Sequence, residues 1–191
     1  MSPRASLRPW VAALAGIAAL LAVILCGLPP SPVSAQPAAP APPAKRERDA
    51  VHFTDALRVN DPKLAETFDG AADSLQAGHE IVILFDGRSV TALRMNLRKA
   101  KKTPLEELGL SRQEQTAWAE RLGLPAAQAP RNRFELVQRL AGAGAKVFVN
   151  RNAVKLYGLG DEEIHPIATP ISERQMAKLL DETGLCFTYR H

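Results

Sequence analysis

The sequence predicts a three-layer α/β domain: a five-stranded, mainly parallel sheet with helices on both faces. Three observations predict it. Five short apolar runs have the length of buried strands, helix-patterned stretches with capping signals lie between them, and the two kinds of segment alternate from Ala50 onward. Strand alternating with helix calls for parallel pairing, because each return to the same end of a sheet needs a crossover, and parallel strands are covered on both sides.

The expected strands are Ala50 to Thr54 (AVHFT), Glu80 to Phe85 (EIVILF), Lys146 to Asn150 (KVFVN), His165 to Thr169 (HPIAT) and Leu185 to Tyr189 (LCFTY). After the first, Asp61-Pro62 reads as an N-cap with proline in the first turn, and Leu64, Phe68, Ala71, Ala72 and Leu75 form one apolar face until Gly78 ends it. Thr103 and Glu106, Ser111 and Glu114, Asn132 and Glu135, and Ser172 and Gln175 each have the spacing of a capping box. The connection from Asp86 to Ala145 is long. It holds an expected helix from about Ser89 to Lys102, the capped segment Ser111 to Leu122 and a helix from about Arg133 to Gly142. One crossover helix suffices, so the stretch around 103–130 reads as a helical insertion. Trp118 and Leu122 share a face of it, which suits a lid, an oligomer contact or a small helix packed down on the parent domain.

The chain before this domain is of another kind. Arg4 and Arg8 precede a charge-free run from Trp10 to Leu28, followed by helix-breaking Pro29, Pro30 and Pro32 and by the small residues Val33-Ser34-Ala35. This is the pattern of an export signal over residues 1–35, cleaved before Gln36 or retained as an inner-membrane anchor through residues 10–28. Either way the remainder is expected in the periplasm or another extracytoplasmic space. A lipid on Cys26 is disfavoured by the bulky Leu25. Residues 36–49 read as a Pro/Ala-rich linker (QPAAPAPPA, then a charged run), leaving 50–191 as the domain.

Composition narrows the function. There are 24 Lys and Arg against 20 Asp and Glu over 191 residues, and removal of the signal with Arg4 and Arg8 leaves 22 against 20. That excess is too small for a nucleic-acid binder that works by neutralising phosphates. Two cysteines make neither a disulfide scaffold nor a four-ligand zinc site. His52, His79, His165 and His191 are far apart, so no metal is expected, and His52 and His165 read as core or edge residues of strands. No GxSxG, GxxxxGK[ST] or GxGxxG motif occurs, so no cofactor is expected. The basic run Arg94, Arg98, Lys99, Lys101 and Lys102 reads as a solvated helix end, with docking of an acidic partner or anionic lipid as the alternative.

In an open parallel sheet ligands bind beyond the carboxyl ends of the strands. The polar residues expected there are Thr54 and Asp55, then Asp86, Gly87 and Arg88, then Asn150, Arg151 and Asn152, and Thr169. Of these, Asp55, Asp86, Arg88, Asn150, Arg151 and Asn152 form a candidate ligand-binding rim. Asp86 and Arg151 can fix a polar ligand, and the amides at the helix start after Asn150 can hold a negative group. Ordinary turn and cap chemistry is the competing reading of each.

Gly78-His79-Glu80-Ile81-Val82-Ile83-Leu84-Phe85-Asp86-Gly87, with Val90 after it, resembles the second-strand signature of the DsrE/DsrF-like (DsrEFH) sulfur-relay family. Gly142 to Asn150, leading into Tyr157-Gly158-Leu159, is similar to that family's third strand and following helix. The resemblance spans Ala50 to Tyr189. It implies a five-stranded parallel sheet, homo-oligomers and a place among proteins that hand sulfur between cysteines. Relatives that carry sulfur have a cysteine at the end of the third strand. Here that place is Asn150, and an amide forms no persulfide. Cys186, inside the last strand pattern, reads as a buried small hydrophobe, with a reactive thiol or an intersubunit bridge as alternatives. Two functions follow as expectations. One is a non-catalytic, oligomeric module connected with sulfur metabolism that binds a small ligand or a periplasmic protein. The other is a sulfur carrier or sulfurtransferase using Cys186.

Overall fold

A computed structural model of the protein describes residues 47–96 and 102–191. The expected signal and most of the linker, along with Arg98, Lys99 and Lys101 of the basic run, lie outside the described residues. The described residues form one compact unit.

Five strands make a single sheet: β1 (Arg48–Phe53), β2 (Glu80–Phe85), β3 (Lys146–Asn150), β4 (Thr169–Ile171) and β5 (Cys186–Tyr189). Their order is β4-β3-β2-β1-β5, and every neighbouring pair is parallel. The α-helices among the described residues are α1 (Pro62–Gln76), α2 (Pro104–Glu107), α3 (Arg112–Arg121), α4 (Arg133–Gly142), α5 (Arg151–Leu156) and α6 (Glu173–Asp181). Steps from β1 to β4 all move one way across the sheet, so right-handed crossovers put their helices on one face. The return from β4 to β5 puts α6 on the other.

Side-chain alternation matches that division. Val51, Phe53, Ile81, Ile83, Phe85, Val147 and Val149 point into the larger core with Leu64 and Phe68 of α1 and Leu136 and Leu140 of α4. Ala50, Val82 and Leu84 point the other way, towards Ile171 and Met176, with Phe148 and Leu179 partly buried beside them. Among the described residues α6 covers this second face, and Cys186 and Thr188 of β5 on that side are exposed.

Several boundaries differ from those expected: β5 begins at Cys186, one residue later than Leu185, and β1 ends at Phe53, one before Thr54. β1 runs two residues earlier, from Arg48. The fourth strand is Thr169–Ile171, not His165 to Thr169, because the preceding segment has other partners: Ile164 bridges Arg94 in antiparallel fashion and the His165 N–H donates to the Leu93 carbonyl at 3.0 Å. Thr169 therefore begins a strand instead of following one. Pro170, which lacks an N–H, is accommodated because β4 is an edge strand. The same contacts end the expected helix from Ser89. A 3-10 helix, Gly87–Leu93, buries Ser89, Val90, Ala92 and Leu93 and stops where Arg94 turns extended.

The segment carrying α3 packs on the parent domain. Trp118 is buried in the larger core, Arg121 Nη1 sits 2.8 Å from Asp69 Oδ1, and Gln76 Nε2 donates to the Arg121 carbonyl. Ser111 caps α3 and receives the Glu114 N–H while Glu114 receives the Ser111 N–H, the reciprocal pattern of a capping box.

Candidate functional site

Asp86 and Asn150 meet beyond the carboxyl ends of the two central strands. Asp86 Oδ1 accepts from the Gly87 N–H at 2.7 Å and from Asn150 Nδ2 at 2.8 Å. Ser89 Oγ accepts from the Asp86 N–H at 3.0 Å and donates to the Phe53 carbonyl at 2.8 Å, fixing this turn to the end of β1. The turn requires glycine: Gly87 has φ +50°, and a Cβ there would stand 2.5 Å from the Thr54 carbonyl oxygen.

Asn150 is only 5% exposed and both ends of its amide are used. While Nδ2 binds Asp86, Oδ1 accepts from the Asn152 N–H at 2.9 Å and the Ala153 N–H at 3.4 Å, capping α5. This corrects the expectation that the amides after β3 are open to a negative group. Asn150 itself fills them.

His52 completes the cluster. It shares its register row with Leu84 of β2 and Thr188 of β5, on the face where α6 packs. Its Nε2 lies 3.6 Å from Asp86 Oδ2 and is buried without a hydrogen-bond partner among the described residues. The His52 imidazole, followed by the Gly87 N–H and the Asn150 amide, holds the Asp86 carboxyl below the usual carboxylate range against the opposing effect of burial. The result is an ionised carboxylate with one oxygen saturated and the other facing an imidazole that has a nitrogen to offer. That arrangement can bind and orient a small polar group. The Ser89 hydroxyl beside it is committed to backbone, and no group of three or more His, Cys, Asp or Glu able to hold a metal occurs among the described residues.

The other rim residues are elsewhere. Asp55 Oδ1 accepts from the Ala56 N–H at 2.7 Å, which, with His191 nearby, lowers its carboxyl. Arg88 is exposed, and its N–H donates to the Thr54 carbonyl. Arg151 Nε pairs with Asp161 Oδ2 at 3.3 Å, and Asn152 Nδ2 donates to Glu173 Oε2 at 3.2 Å. The structure thus brings together two of the six, Asp86 and Asn150, and adds His52, which sequence reasoning set aside. The available signal was parity: His52 lies on the strand face opposite Val51 and Phe53, one residue from the strand's end.

Cys186 is exposed, not buried as expected, with Sγ 3.5 Å from Thr188 Oγ1. Its apolar neighbours Leu185 and Phe187 suggested a core strand, but β5 is an edge strand. The remaining histidines have separate surroundings. His79 pairs with Asp49 and His191 with Asp61. His165, whose ring lies edge-on to Phe134, is pushed below its ordinary pKa by burial. From the basic run, Arg94 pairs with Glu163 at 3.0 Å.

Fold and site together define a parallel five-stranded α/β domain with a His–Asp–Asn cluster at the carboxyl ends of its central strands. No protein-family model and no curated protein matches the sequence. Among solved structures, the domain is similar to the ychN protein from E. coli, with TM-score 0.49 and 12% identity over 76% of this chain and 100% of that one. It is also similar to MTH1491 from Methanobacterium thermoautotrophicum, described as a protein of unknown function, with TM-score 0.40 and 11% identity over 73% of this chain and 96% of that one.

Proposed function

We propose that the protein is an exported, DsrE-like binding module without sulfur-transfer chemistry, in which His52, Asp86 and Asn150 hold a small polar ligand or a polar group of a partner protein. The observation that carries this reading is Asn150. At the place where the resembling family keeps a reactive thiol stands a buried amide, both ends of which serve structure: one caps α5 and the other restrains Asp86. A homo-oligomer is the proposed working form, after the same resemblance, and export is supported by Arg4, Arg8 and the apolar run that follows them.

The test is native mass spectrometry of the protein purified from its own host, as wild type, Asp86→Ala and Cys186→Ala. A bound species or partner present in wild type and Cys186→Ala but lost in folded Asp86→Ala is expected. Equal retention in Asp86→Ala overturns the assignment. Intact mass from the same sample reads cleavage before Gln36.

The exposure of Cys186 favours a second reading, a sulfur carrier. Its thiolate would take the sulfane sulfur of thiosulfate and release sulfite. A mass gain of one sulfur on wild type and none on Cys186→Ala supports that reading, and an unmodified mass after exposure rejects it.

A further inference from the structure

Arg133, the first residue of α4, has a side chain only 7% exposed. Its Nη2 donates to Glu114 Oε1, whereas Nη1 is buried without a hydrogen-bond partner among the described residues. The guanidinium lies over the Phe68 ring, 5.6 Å from its centre, and borders a cavity of about 350 Å³ whose wall includes Arg58, Asn60, Leu64, Leu108 and Glu114. This cavity lies between the β1–α1 loop and the turn joining α2 to α3. It shares no residue with the His52–Asp86–Asn150 cluster.

The carboxylates of this wall already have partners, and its cations have capacity left. Asp61 accepts from the Lys63 N–H and, at 2.7 Å, from the Tyr189 hydroxyl, and it pairs with His191. Glu114 accepts from the Ser111 N–H and from Arg133. Arg58 makes no ion pair among the described residues, and the wall includes the first turn of the 15-residue α1, the positive end of its dipole. Burial holds the Arg133 guanidinium below its usual pKa, so an added negative charge beside it is favoured.

We propose that this cavity binds a small organic monocarboxylate, with the carboxylate between Arg58 and Arg133 and a short apolar tail against Leu64, Leu108 and Val59. With Asp61 held by Tyr189 and His191 and Glu114 by Arg133, Arg58 is the cation of this wall without an ion pair among the described residues, which suits one negative charge; a phosphate dianion would set a second against Glu114. The volume is near the lower end of small-molecule sites.

The test is calorimetric titration of the full chain with hexanoate, with hexanol and inorganic phosphate as comparisons. Saturable hexanoate binding at one site per chain is expected, with both comparisons weaker by about tenfold or more. Arg58→Ala removes an exposed side chain and is expected to weaken hexanoate about tenfold. Ala65→Trp fills the cavity while leaving both arginines and is expected to abolish binding, as is Arg133→Met, which keeps the apolar contact with Phe68. Asp86→Ala is expected to bind hexanoate like wild type, which separates this site from the proposed one. No hexanoate binding up to about 10 mM, equal affinity for hexanol, or unchanged affinity in Arg58→Ala or Ala65→Trp overturns the proposal. If Arg133→Met does not fold, the other two variants decide.

Discussion

Asn150 Nδ2 donates to Asp86 Oδ1 at 2.8 Å, joining the carboxyl ends of β3 and β2 through two side chains that each also cap the turn following their own strand. Asn150→Asp changes one atom of this arrangement. The cap onto Asn152 survives, but the donor towards Asp86 becomes an acceptor, and two carboxylates must share a proton. One folded-state pKa is then raised above its unfolded value near 4, so the folded form binds the extra proton and loses stability as pH rises from there through the raised value. The expected cost is about 1–3 kcal/mol near neutral pH and little near about pH 4. Urea unfolding of variant and wild type at both pH values measures it. A variant deficit independent of pH contradicts the direct Asp86–Asn150 bond.

Gly87→Ala tests the turn that presents Asp86. At φ +50° an alanine pays the left-handed penalty, and its Cβ would press on the Thr54 carbonyl, a backbone atom that also accepts the Arg88 N–H at 3.0 Å. A loss of about 2–4 kcal/mol is expected, from the left-handed conformation and the displaced turn together. A loss below about 0.5 kcal/mol in urea unfolding, the size of an ordinary surface change, contradicts the geometry.

How much of this was legible in the sequence depended on whether local chemistry or a distant partner decides the element. β2 and β3 have the bounds that their apolar runs indicated, because Gly78 and Gly144 stand before them at positive φ and the polar Asp86 and Asn150 mark their far ends. The caps at Ser111, Asn132 and Ser172 were readable for the same reason: each is a contact between neighbours in the chain. HPIAT has the composition of a strand, yet Ile164 and His165 bind Arg94 and Leu93, some seventy residues away, and no local pattern contains that information. The site divides likewise. Asp86 and Asn150 could be placed from strand ends. The face of His52 could be read from parity, but its place beside Asp86 and the exposure of Cys186 required the strand order, which puts β1 between β2 and β5 and leaves β5 at an edge.

The edge position of Cys186 has a chemical consequence. In the folded protein its thiol is expected to alkylate with iodoacetamide without prior unfolding, as read by mass on the carboxyl-terminal peptide. Cys186→Ser is expected to change stability by no more than about 0.5 kcal/mol, since an exposed side chain surrenders little packing. Protection of the thiol until the protein unfolds contradicts this placement.

At the opposite end of the sheet, His79 and Asp49 make stability depend on pH. The Asp49 side chain is fully buried; its Oδ1 accepts from the Leu185 N–H at 3.1 Å and its Oδ2 lies 2.7 Å from His79 Nδ1. Burial is the largest single influence on Asp49 and pushes its pKa up, but the His79 ring, the Ser74 hydroxyl and the Leu185 N–H together outweigh it and leave the carboxyl below its ordinary range. The bond to Asp49, with the charges of Asp49 and Glu47, raises His79. A raised histidine contributes stability that is fully present below its unfolded value of about 6.5 and is lost as pH rises through the higher folded value; a depressed aspartate contributes above about 4 and loses it as pH falls through the lower folded value. Both contributions are therefore present together from about pH 4 to 6.5. His79→Gln keeps a hydrogen-bonding side chain but removes the charge. Its deficit against wild type in urea midpoint is expected to be largest near about pH 5 and to shrink as pH rises from about 6.5 through the raised His79 value. A deficit that stays constant across that range means that the pair is held by a neutral hydrogen bond, and the charged pair assigned to Asp49 and His79 is then wrong.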